Sequence, residues 1–479
     1  MEKDPLTDCP PEQSPAQNGP DIDNMPHRVF YAARQAISRH ATGGNILILA
    51  TILALIVANI PGVNQYYLDF WTQEVRLQIG SFNLFSHHGH PMSLIAFIND
   101  ALMAVFFFTI GLEIKREVLV GELSSFRQAL LPIVGACGGM IVPVVIFYYL
   151  SQGTDYSGGA AIPMATDIAF SLGVLAMLGS RVPIALKVFL TTLAVVDDIG
   201  GIVVIAAFYS TDLQLELLAY AAGLLVILYL GGRFLIQSKA FYVLVGIAVW
   251  FLFLNSGIHP TIAGVLVAFC IPAKPVYAPV RYIQKIRNAI AHFRCEDDEE
   301  LNRKSILNKE QMNYLKQVES AGDKVISPLQ DFEDTLTPFV NYFIVPLFAF
   351  ANAGIFLLDM DPASIFEGVS LAIICGLFFG KFIGIFSFSW LTIKLHLAPK
   401  PSGSTWNSLA AVSMLGGIGF TVSLFIATLS FPTLAQLDLL NHAKLGIVVG
   451  SIISGIVGYI WLHFALPKAP APDSEADDD

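Results

Sequence analysis

The sequence predicts an all-α polytopic membrane protein with about twelve transmembrane helices. Of its 479 residues, 54% are hydrophobic and only 14% are charged, whereas a soluble domain averages about 25% charged residues. Apolar runs of the length that crosses a bilayer recur along the chain, with brief polar breaks. Asp197 and Asp198 nonetheless stand side by side in one run, as the only charged residues between Val188 and Thr211. Charged side chains are costly in the interior of a membrane, so their presence in this run indicates a function.

The apolar runs, taken in order, give twelve predicted spans. They lie near residues 44–61, 94–114, 129–150, 160–179, 184–209, 215–231, 239–254, 259–272, 338–358, 368–393, 407–430 and 442–464. The spans at 239–254 and 259–272 are short for full crossings. After the first span, residues 73–85 alternate apolar and polar side chains around Gly80-Ser81, which predicts a small extramembrane β-hairpin.

Polar stretches flank and interrupt the spans. Residues 30–40 have the pattern of a short amphipathic helix that lies on the membrane surface. A long, highly charged insertion separates the last four spans from the others, and the C-terminal end is acidic. The predicted regions are a tail at 1–43, spans one to eight at 44–273, the insertion at 274–335, spans nine to twelve at 336–464 and a second tail at 465–479.

The positions of Lys and Arg predict the orientation of the spans. These residues occur in the N-terminal segment and in the even-numbered connections, and basic loops face the cytoplasm. The loops on the other side that carry neither residue are 151–159, 210–214, 255–258 and 359–367. Arg76 and Lys444 are the exceptions on that side. Both termini are therefore predicted to be cytoplasmic, with the hairpin on the opposite side.

A small set of ionisable residues remains inside the predicted spans. They are Asp100, Asp167, Asp197, Asp198 and Lys381. Fully ionised, this set carries four negative charges against one positive charge, so protons or bound cations must neutralise the excess in lipid. Adjacent carboxylates titrate as a cluster, and oxygen ligands suit a hard cation such as Na⁺ or Li⁺. If cation and proton exclude each other at Asp197 and Asp198, alternating access gives cation/proton exchange.

Helix-breaking residues lie within two of the spans. They are Pro163 in the span at 160–179, and Gly416, Gly417 and Gly419 in the span at 407–430. Interrupted helices in the two halves of a chain are typical of transporter binding sites. Crossed half-helices would bring like ends together, with Asp167 balancing the N-termini and Lys381 the C-termini. The same glycines would also suit close helix packing.

Several long motifs of the chain are similar to those of a known family. In chain order they are INDALMAVFFFTIGLEIKRE, AIPMATDIAFSLGVLAMLGSRVP, VVDDIG, PLFAFANAG, GKFIG and GIGFTVSLFIA. On these motifs the sequence resembles the NhaA-type Na⁺/H⁺ antiporters over roughly residues 44–464, apart from the insertion. The resemblance implies electrogenic, pH-regulated exchange of Na⁺ or Li⁺ for H⁺ across a bacterial inner membrane, without a cofactor. It also implies inverted repeats at spans three to five and ten to twelve, with spans four and eleven broken and crossed.

Matching the motifs residue by residue implies a role for each candidate. Asp198 would be the principal ion ligand, and Asp197 would hold Lys381 in a salt bridge that ion or proton binding releases. Thr166 and Asp167 would complete the site or balance the crossed helices. The cytoplasmic route and its pH-activation cluster would comprise Asp100, Glu113, Arg116, Glu117 and Glu333.

The resemblance also bears on assembly and regulation. The hairpin at 73–85 matches a dimer contact of the family, so a homodimer is expected. Histidines that some members carry near the start of span nine are absent, since this chain has Asp334 and Thr337 there, although His259 does match. The insertion at 274–335 is longer than the family leads us to expect, and we hypothesise that it modulates the cytoplasmic gate.

Other classes of membrane protein also place carboxylates in lipid. An intramembrane aspartyl protease would need a Gly-x-Gly-Asp tetrapeptide, which this chain lacks. A retinal protein would need a cluster of tryptophans around Lys381, and a cation channel fits an ion-paired lysine less well than an exchanger does. A proton-coupled carrier of an organic solute is the nearest alternative. The sequence predicts neither an enzyme nor a surface for nucleic acid.

Overall fold

The structure is a computed structural model that describes residues 43–79, 82–87, 90–210, 213–234, 236–275, 282–284, 286–288, 309–323, 325–356 and 365–467. The amphipathic helix predicted at 30–40 lies outside these residues. Much of the predicted insertion and most of the acidic tail also lie outside them. The residues between Pro272 and Asp331 belong to a unit separate from the one that contains the transmembrane helices.

The described chain is built mainly of helices. They are α1 (Gly43–Ala58), α2 (Asn64–Thr72), α3 (Leu94–Phe97), α4 (Met103–Val120), α5 (Phe126–Leu150), α6 (Ile168–Ala176), α7 (Ile184–Phe208), α8 (Leu215–Arg233), α9 (Lys239–Leu254), α10 (Pro260–Cys270), α11 (Lys309–Asp323), α12 (Pro328–Phe339), α13 (Val345–Asn352), α14 (Gly368–Cys375), α15 (Lys381–Lys394), α16 (Trp406–Leu415), α17 (Phe420–Ser430) and α18 (Leu437–Ala465). Short 3₁₀ segments lie at Glu122–Ser124, Ser157–Met164, Gly179–Arg181 and Leu434–Gln436.

Helical stretches coincide with all twelve predicted spans. Eight of them are long and apolar enough to cross a bilayer, and the bent pair α16 and α17 gives a ninth. The shorter apolar helices α1, α9 and α10 correspond to the remaining three. The predicted all-α polytopic fold is therefore confirmed.

Two helices extend well beyond the predicted spans. Helix α4 continues to Val120, and α12 begins at Pro328, inside the range predicted as the insertion. The first turns of α12 are amphipathic, because buried Phe332 lies close in sequence to charged residues such as the exposed Asp334. A search for continuous apolar runs does not find such a turn.

Three π-helical turns join helices that would otherwise be continuous. They are Ile98–Leu102 between α3 and α4, Val340–Ile344 between α12 and α13, and Gly376–Gly380 between α14 and α15. The first contains Asp100 and the last directly precedes Lys381. Turns of this kind occur frequently at functional sites.

A small β-structure follows α2. The strands Gln78–Ile79 (β2) and Phe82–Asn83 (β3) pair antiparallel, with Ile79 opposite Phe82, as the predicted hairpin requires. The sequence did not predict three further strands, in which Glu74–Val75 (β1) and Ser86–His87 (β4) each pair with His90–Ser93 (β5). The predicted hairpin is therefore confirmed as one part of a larger β-structure.

Helix α15, which begins with Lys381, packs closely against α5. A Cβ atom added to Gly384 would lie 2.1 Å from the carbonyl oxygen of Gly138, and one on Gly380 would lie 2.7 Å from the Cα of Pro143. No side chain fits at these distances, so both positions require glycine for the close approach of the two helices. This contact fixes the helix that carries Lys381.

Candidate ion-binding site

Two broken spans meet at their breaks. The first joins the 3₁₀ segment Ser157–Met164 to α6 through extended backbone, and the second is the bent pair α16 and α17. The amide N of Asp167 donates to the carbonyl oxygen of Ile418 at 2.7 Å, and Thr166 Oγ1 donates to the carbonyl oxygen of Gly416 at 2.9 Å. Each break thus satisfies backbone groups that the other leaves free. The prediction that spans four and eleven are broken is confirmed.

Asp167 joins the N-terminal ends of the two half-helices α6 and α17. Its Oδ1 accepts from the amide N of Phe170 at 2.9 Å, which makes it the N-cap of α6. Its Oδ2 accepts from the amide N of Thr421 at 3.0 Å and from Thr421 Oγ1 at 2.6 Å. The negative charge therefore faces two positive helix ends, which is a favourable arrangement. Both oxygens are engaged by protein donors, so this geometry favours charge balance over ion ligation.

Lys381 lies fully buried at the start of α15. Its Nζ donates to Oδ2 of Asp197 and, at 2.8 Å, to Oγ1 of Thr166. Thr166 in turn donates to the carbonyl oxygen of Gly416, the C-cap residue of α16. The lysine therefore reaches the C-terminal end of a half-helix through a threonine rather than by direct contact.

Asp197 and Asp198 project from α7 in different directions, since adjacent residues of a helix are about 100° apart. Both are buried, with 1% and 4% of their surface exposed. In the part of the chain that the structure describes, Oδ1 of each has no hydrogen-bond partner. One ammonium group, that of Lys381, thus stands against two carboxylates, and a buried charge without a partner is costly. A bound cation or bound protons would therefore balance the remaining negative charge of the site.

Asp198 also lines a cavity of about 330 Å³, which we call the inner cavity. Its wall includes Thr166 and Asp167 as well as Glu113, Arg116 and Glu333. The last three lie beside the ends of spans that carry Lys and Arg, the side predicted to be cytoplasmic. One cavity therefore borders both these charged groups and the buried carboxylate of Asp198.

Residues of the predicted pH-activation cluster contact one another in the structure. Arg116 Nη1 donates to Oε1 of Glu333, and Arg116 Nη2 donates to Oε1 of Glu117 at 3.0 Å. Glu333 lies 217 residues from Arg116 in the chain. Glu113, which shares the cavity wall, adds a further carboxylate. Three acidic groups thus lie around one guanidinium.

Asp100, which the resemblance places on the cytoplasmic route, is not among the described residues that line the inner cavity. It lines a separate cavity of about 840 Å³ together with His259, Tyr209 and Ser430. We call this the outer cavity, because its wall includes span ends beside the loops that lack Lys and Arg. Asp100 and Glu113 share one span, but 13 residues of helix separate them by about 20 Å. The two carboxylates therefore line different cavities.

The helix-breaking residues lie where the two broken spans approach other elements most closely. A Cβ atom on Gly417 would lie 2.5 Å from the carbonyl oxygen of Leu377, and one on Gly419 would lie 2.8 Å from that of Ala165. Gly416 ends α16, and Pro163 lies in the 3₁₀ segment before the first break. These glycines therefore serve both the interruption of the helix and close packing, the two interpretations that the sequence left open.

Thr421 also belongs to the site, although the sequence did not predict it. It supplies two of the hydrogen bonds to Asp167 described above. Its position gives the only signal, because it lies in the first turn of a half-helix, where free N–H donors attract a carboxylate.

Comparison with known proteins agrees with the geometry. Residues 34–462 match the family described as Na⁺/H⁺ antiporter 1. The chain is 54% identical over 444 residues to the Na⁺/H⁺ antiporter NhaA of Phocaeicola vulgatus, which covers 92% of this chain and 98% of that protein. It is 52% identical over 442 residues to that of Bacteroides fragilis, with 92% and 99% covered. It is 41% identical over 458 residues to antiporter NhaA 1 of Saccharophagus degradans, with 95% of each covered. This chain belongs to the Na⁺/H⁺ antiporter 1 family.

Proposed function

We propose that this protein exchanges Na⁺ for H⁺ across a membrane at Asp197 and Asp198. The observation that carries the proposal is the pair of Oδ1 atoms, which are buried and lack a hydrogen-bond partner among the described residues. A buried carboxylate oxygen without a donor needs a cation or a proton, and the two exclude each other at one oxygen. The relatives named above carry the name Na⁺/H⁺ antiporter, which supports this exchange.

Ion binding begins at Asp198, because this residue lines the inner cavity and Asp197 does not. A cation between the two carboxylates brings a second positive charge close to Lys381, and the repulsion weakens the pair between Lys381 and Asp197. Departure of Lys381 frees Thr166 Oγ1 from its donor and makes that oxygen available as a ligand. Protonation of the carboxylates displaces the cation in the return step.

Alternating access takes place at the break in span four. Thr166 lines the inner cavity and Met164, two residues earlier, lines the outer cavity. In the described chain no residue lines both cavities, so the site faces the inner side in this conformation. A displacement of the break by a few ångströms transfers Asp198 from one cavity to the other.

Two carboxylates allow two protons to replace one Na⁺, which makes the exchange electrogenic. Li⁺, a hard cation that also prefers oxygen ligands, is a further substrate of the same site. The network of Glu113, Arg116, Glu117 and Glu333 regulates the exchange with pH, as the resemblance to the family implies. The insertion at 274–335 modulates the cytoplasmic gate. An unaltered pH profile of exchange after deletion of residues 276–330 would contradict this role.

The proposed setting is a bacterial inner membrane, with both termini cytoplasmic and a homodimer formed through the hairpin at 73–85. The Lys and Arg distribution, the bacterial relatives and the pairing of β2 with β3 support this setting. Replacement of residues 76–84 by a short glycine linker should convert the purified protein from dimer to monomer in light scattering. A variant that stays dimeric would exclude this contact.

The experiment that tests the function measures proton release from acid-loaded everted vesicles on addition of Na⁺, Li⁺ or K⁺ between pH 6.5 and 9. The variants are wild type, Asp198→Asn and the exposed surface control Asp155→Asn. We expect Na⁺ and Li⁺ to release protons in wild type and in the control, but not in Asp198→Asn. No response of wild type to any cation, with the protein present in the membrane, would favour the proton-coupled carrier of an organic solute instead.

A further inference from the structure

The loop between span four and span five holds the end of the last helix, α18. Arg181, in the 3₁₀ segment Gly179–Arg181, donates from Nη2 to the carbonyl oxygen of His463 at 2.8 Å and to that of Leu466 at 3.1 Å. Its Nε donates to the carbonyl oxygen of Pro467 at 3.1 Å. The last carbonyl groups of a helix have no partner within the helix, and its C-terminal end favours a positive charge. The side chain of Arg181 therefore caps α18.

An apolar contact accompanies this cap. Leu178 and Val182, on either side of Arg181, belong to the same buried cluster as Leu462 and Leu466 of α18. The inner half of broken span four, α6, thus ends in a loop that is joined to α18 both by hydrogen bonds and by packing. We call the contacts of Arg181 with the end of α18 the inner clamp.

Helix α18 also supports the second broken span. Ser451 Oγ accepts a hydrogen bond from the amide N of Gly419 at 3.3 Å, at the break between α16 and α17. A Cβ atom added to Gly458 would lie 2.5 Å from Cδ2 of Leu415, so α18 and α16 are in close contact there. The inner clamp therefore joins the inner half of span four to the helix that holds the break of span eleven. A loose clamp would let α6, which Asp167 caps at its start, move relative to that break.

The inner clamp contains a group that can change its charge. Arg181 Nη1 lies 3.2 Å from Nδ1 of His463. A guanidinium has only donors and stays protonated in proteins, so Nδ1 must accept the hydrogen bond, which requires a neutral imidazole. Protonation of His463 replaces this hydrogen bond with a contact between two positive charges. Histidine is the side chain that ordinarily changes its charge between pH 5 and 8.

The surroundings of His463 offer no opposite charge to stabilise its protonated form. Neither Arg181 nor His463 forms a salt bridge with a described carboxylate. Helices α6, α14, α16 and α17, which pack against α18, contain no Asp, Glu, Lys, Arg or His. Helix α15 contacts α18 through a pair of aromatic rings, and its charged residues are lysines. Lys187 adds a further positive charge, because its Nζ donates to the carbonyl oxygen of Gly179 at 3.4 Å, and the acidic residue of α18, Asp438, lies at the opposite end of that helix.

We propose that Arg181 and His463 form a pH-sensitive clamp that positions the inner half of span four for Na⁺ binding. The inference rests on the proposed exchange function and gives a positioning role to two residues that do not line the inner cavity. At alkaline pH His463 is neutral and the clamp is closed, so Thr166 and Asp167 keep their places at the break. At acidic pH His463 is protonated, the clamp loosens, and the affinity for Na⁺ at the inner face falls. This effect adds to the competition between protons and Na⁺ at Asp198.

The test measures the KM for Na⁺ of proton release from acid-loaded everted vesicles at pH 6 and at pH 8.5. The readout is the KM at pH 6 divided by the KM at pH 8.5, because a purely structural loss would raise both values alike. His463→Asn keeps an acceptor at the δ1 position and does not titrate, so the ratio should fall about two- to fivefold below that of wild type, with the KM at pH 8.5 unchanged. The control His442→Asn changes a histidine of the same helix that contacts the carbonyl oxygen of Asp438 instead and should keep the wild-type ratio.

Variants of Arg181 test the other partner of the clamp. Arg181→Gln opens the clamp at every pH, so it should raise the KM at pH 8.5 and lower the ratio, and the addition of His463→Asn should change neither value further. Arg181→Lys keeps a positive charge at the end of α18 and should restore part of the wild-type KM at pH 8.5.

Three results would overturn the proposal: a wild-type ratio in His463→Asn, an equal fall of the ratio in His442→Asn, or a further change when His463→Asn is added to Arg181→Gln. If His463→Asn does not reach the membrane, Arg181→Gln decides, because a wild-type ratio in that variant rejects the clamp and a lowered ratio supports it. Failure of the exchange function is a separate result, because wild type would then show no Na⁺-dependent proton release at either pH.

Discussion

Asp197 and Asp198 are adjacent in sequence, but the structure predicts different effects on stability when each is neutralised. Asp197→Asn leaves the ammonium group of Lys381, which is 0% exposed, without its ionised partner. Removal of one partner from a buried ion pair costs about 3–5 kcal/mol. Asp198 forms no salt bridge among the described residues and repels Asp197. Asp198→Asn should therefore leave the free energy of unfolding unchanged or raise it.

The assay is thermal unfolding of the detergent-solubilised protein in Na⁺-free buffer, followed by tryptophan fluorescence. We expect Asp197→Asn to lower the midpoint by several degrees, and Asp198→Asn to keep or raise it. The double variant Asp197→Asn, Lys381→Gln removes both charges of the pair and should recover most of the loss. A double-mutant cycle over these variants should give a coupling energy of about 2 kcal/mol or more.

Two outcomes would refute this reasoning. Equal losses in Asp197→Asn and Asp198→Asn would mean that Lys381 does not distinguish the two carboxylates. Additive losses in the double variant would mean that Lys381 and Asp197 do not form a pair whose partners depend on each other. In either case the release of Lys381 by ion binding would lose its structural basis.

Three further predictions concern the surroundings of the site. Thr421→Val removes a 2.6 Å hydrogen bond to Asp167 and should destabilise the protein by about 1–3 kcal/mol in the same thermal assay, whereas Thr421→Ser should not. Gly384→Ala places a Cβ 2.1 Å from a backbone oxygen and should abolish exchange in everted vesicles, whereas Gly223→Ala, which meets no atom within 4 Å, should not. Glu333→Gln removes the ion-pair partner of Arg116 and should flatten the pH dependence of exchange, with the exposed Asp155→Asn as the control. Wild-type behaviour of Thr421→Val, Gly384→Ala or Glu333→Gln would contradict the role given to the corresponding contact.

The sequence by itself determined which segments cross the membrane and which residues carry charge within them. Apolar length and helix breaks are local properties, so the twelve helical stretches and the interruption near Pro163 could be predicted. The position of Asp197 and Asp198 in an apolar run was enough to indicate a cation or proton site. The start of α12 was not predicted as part of the span, because it is amphipathic and contains no continuous apolar run.

Only the tertiary structure decided which charges meet. Lys381 is 184 residues from Asp197, and Thr421 is 254 residues from Asp167, so neither contact follows from local pattern. The direction of Asp100 was likewise open, because a helix places residues a few turns apart at different depths, and the cavity each one faces depends on the neighbouring spans. Periodicity reports the environment of a residue along its own helix, whereas the partner of a buried charge depends on how distant helices pack.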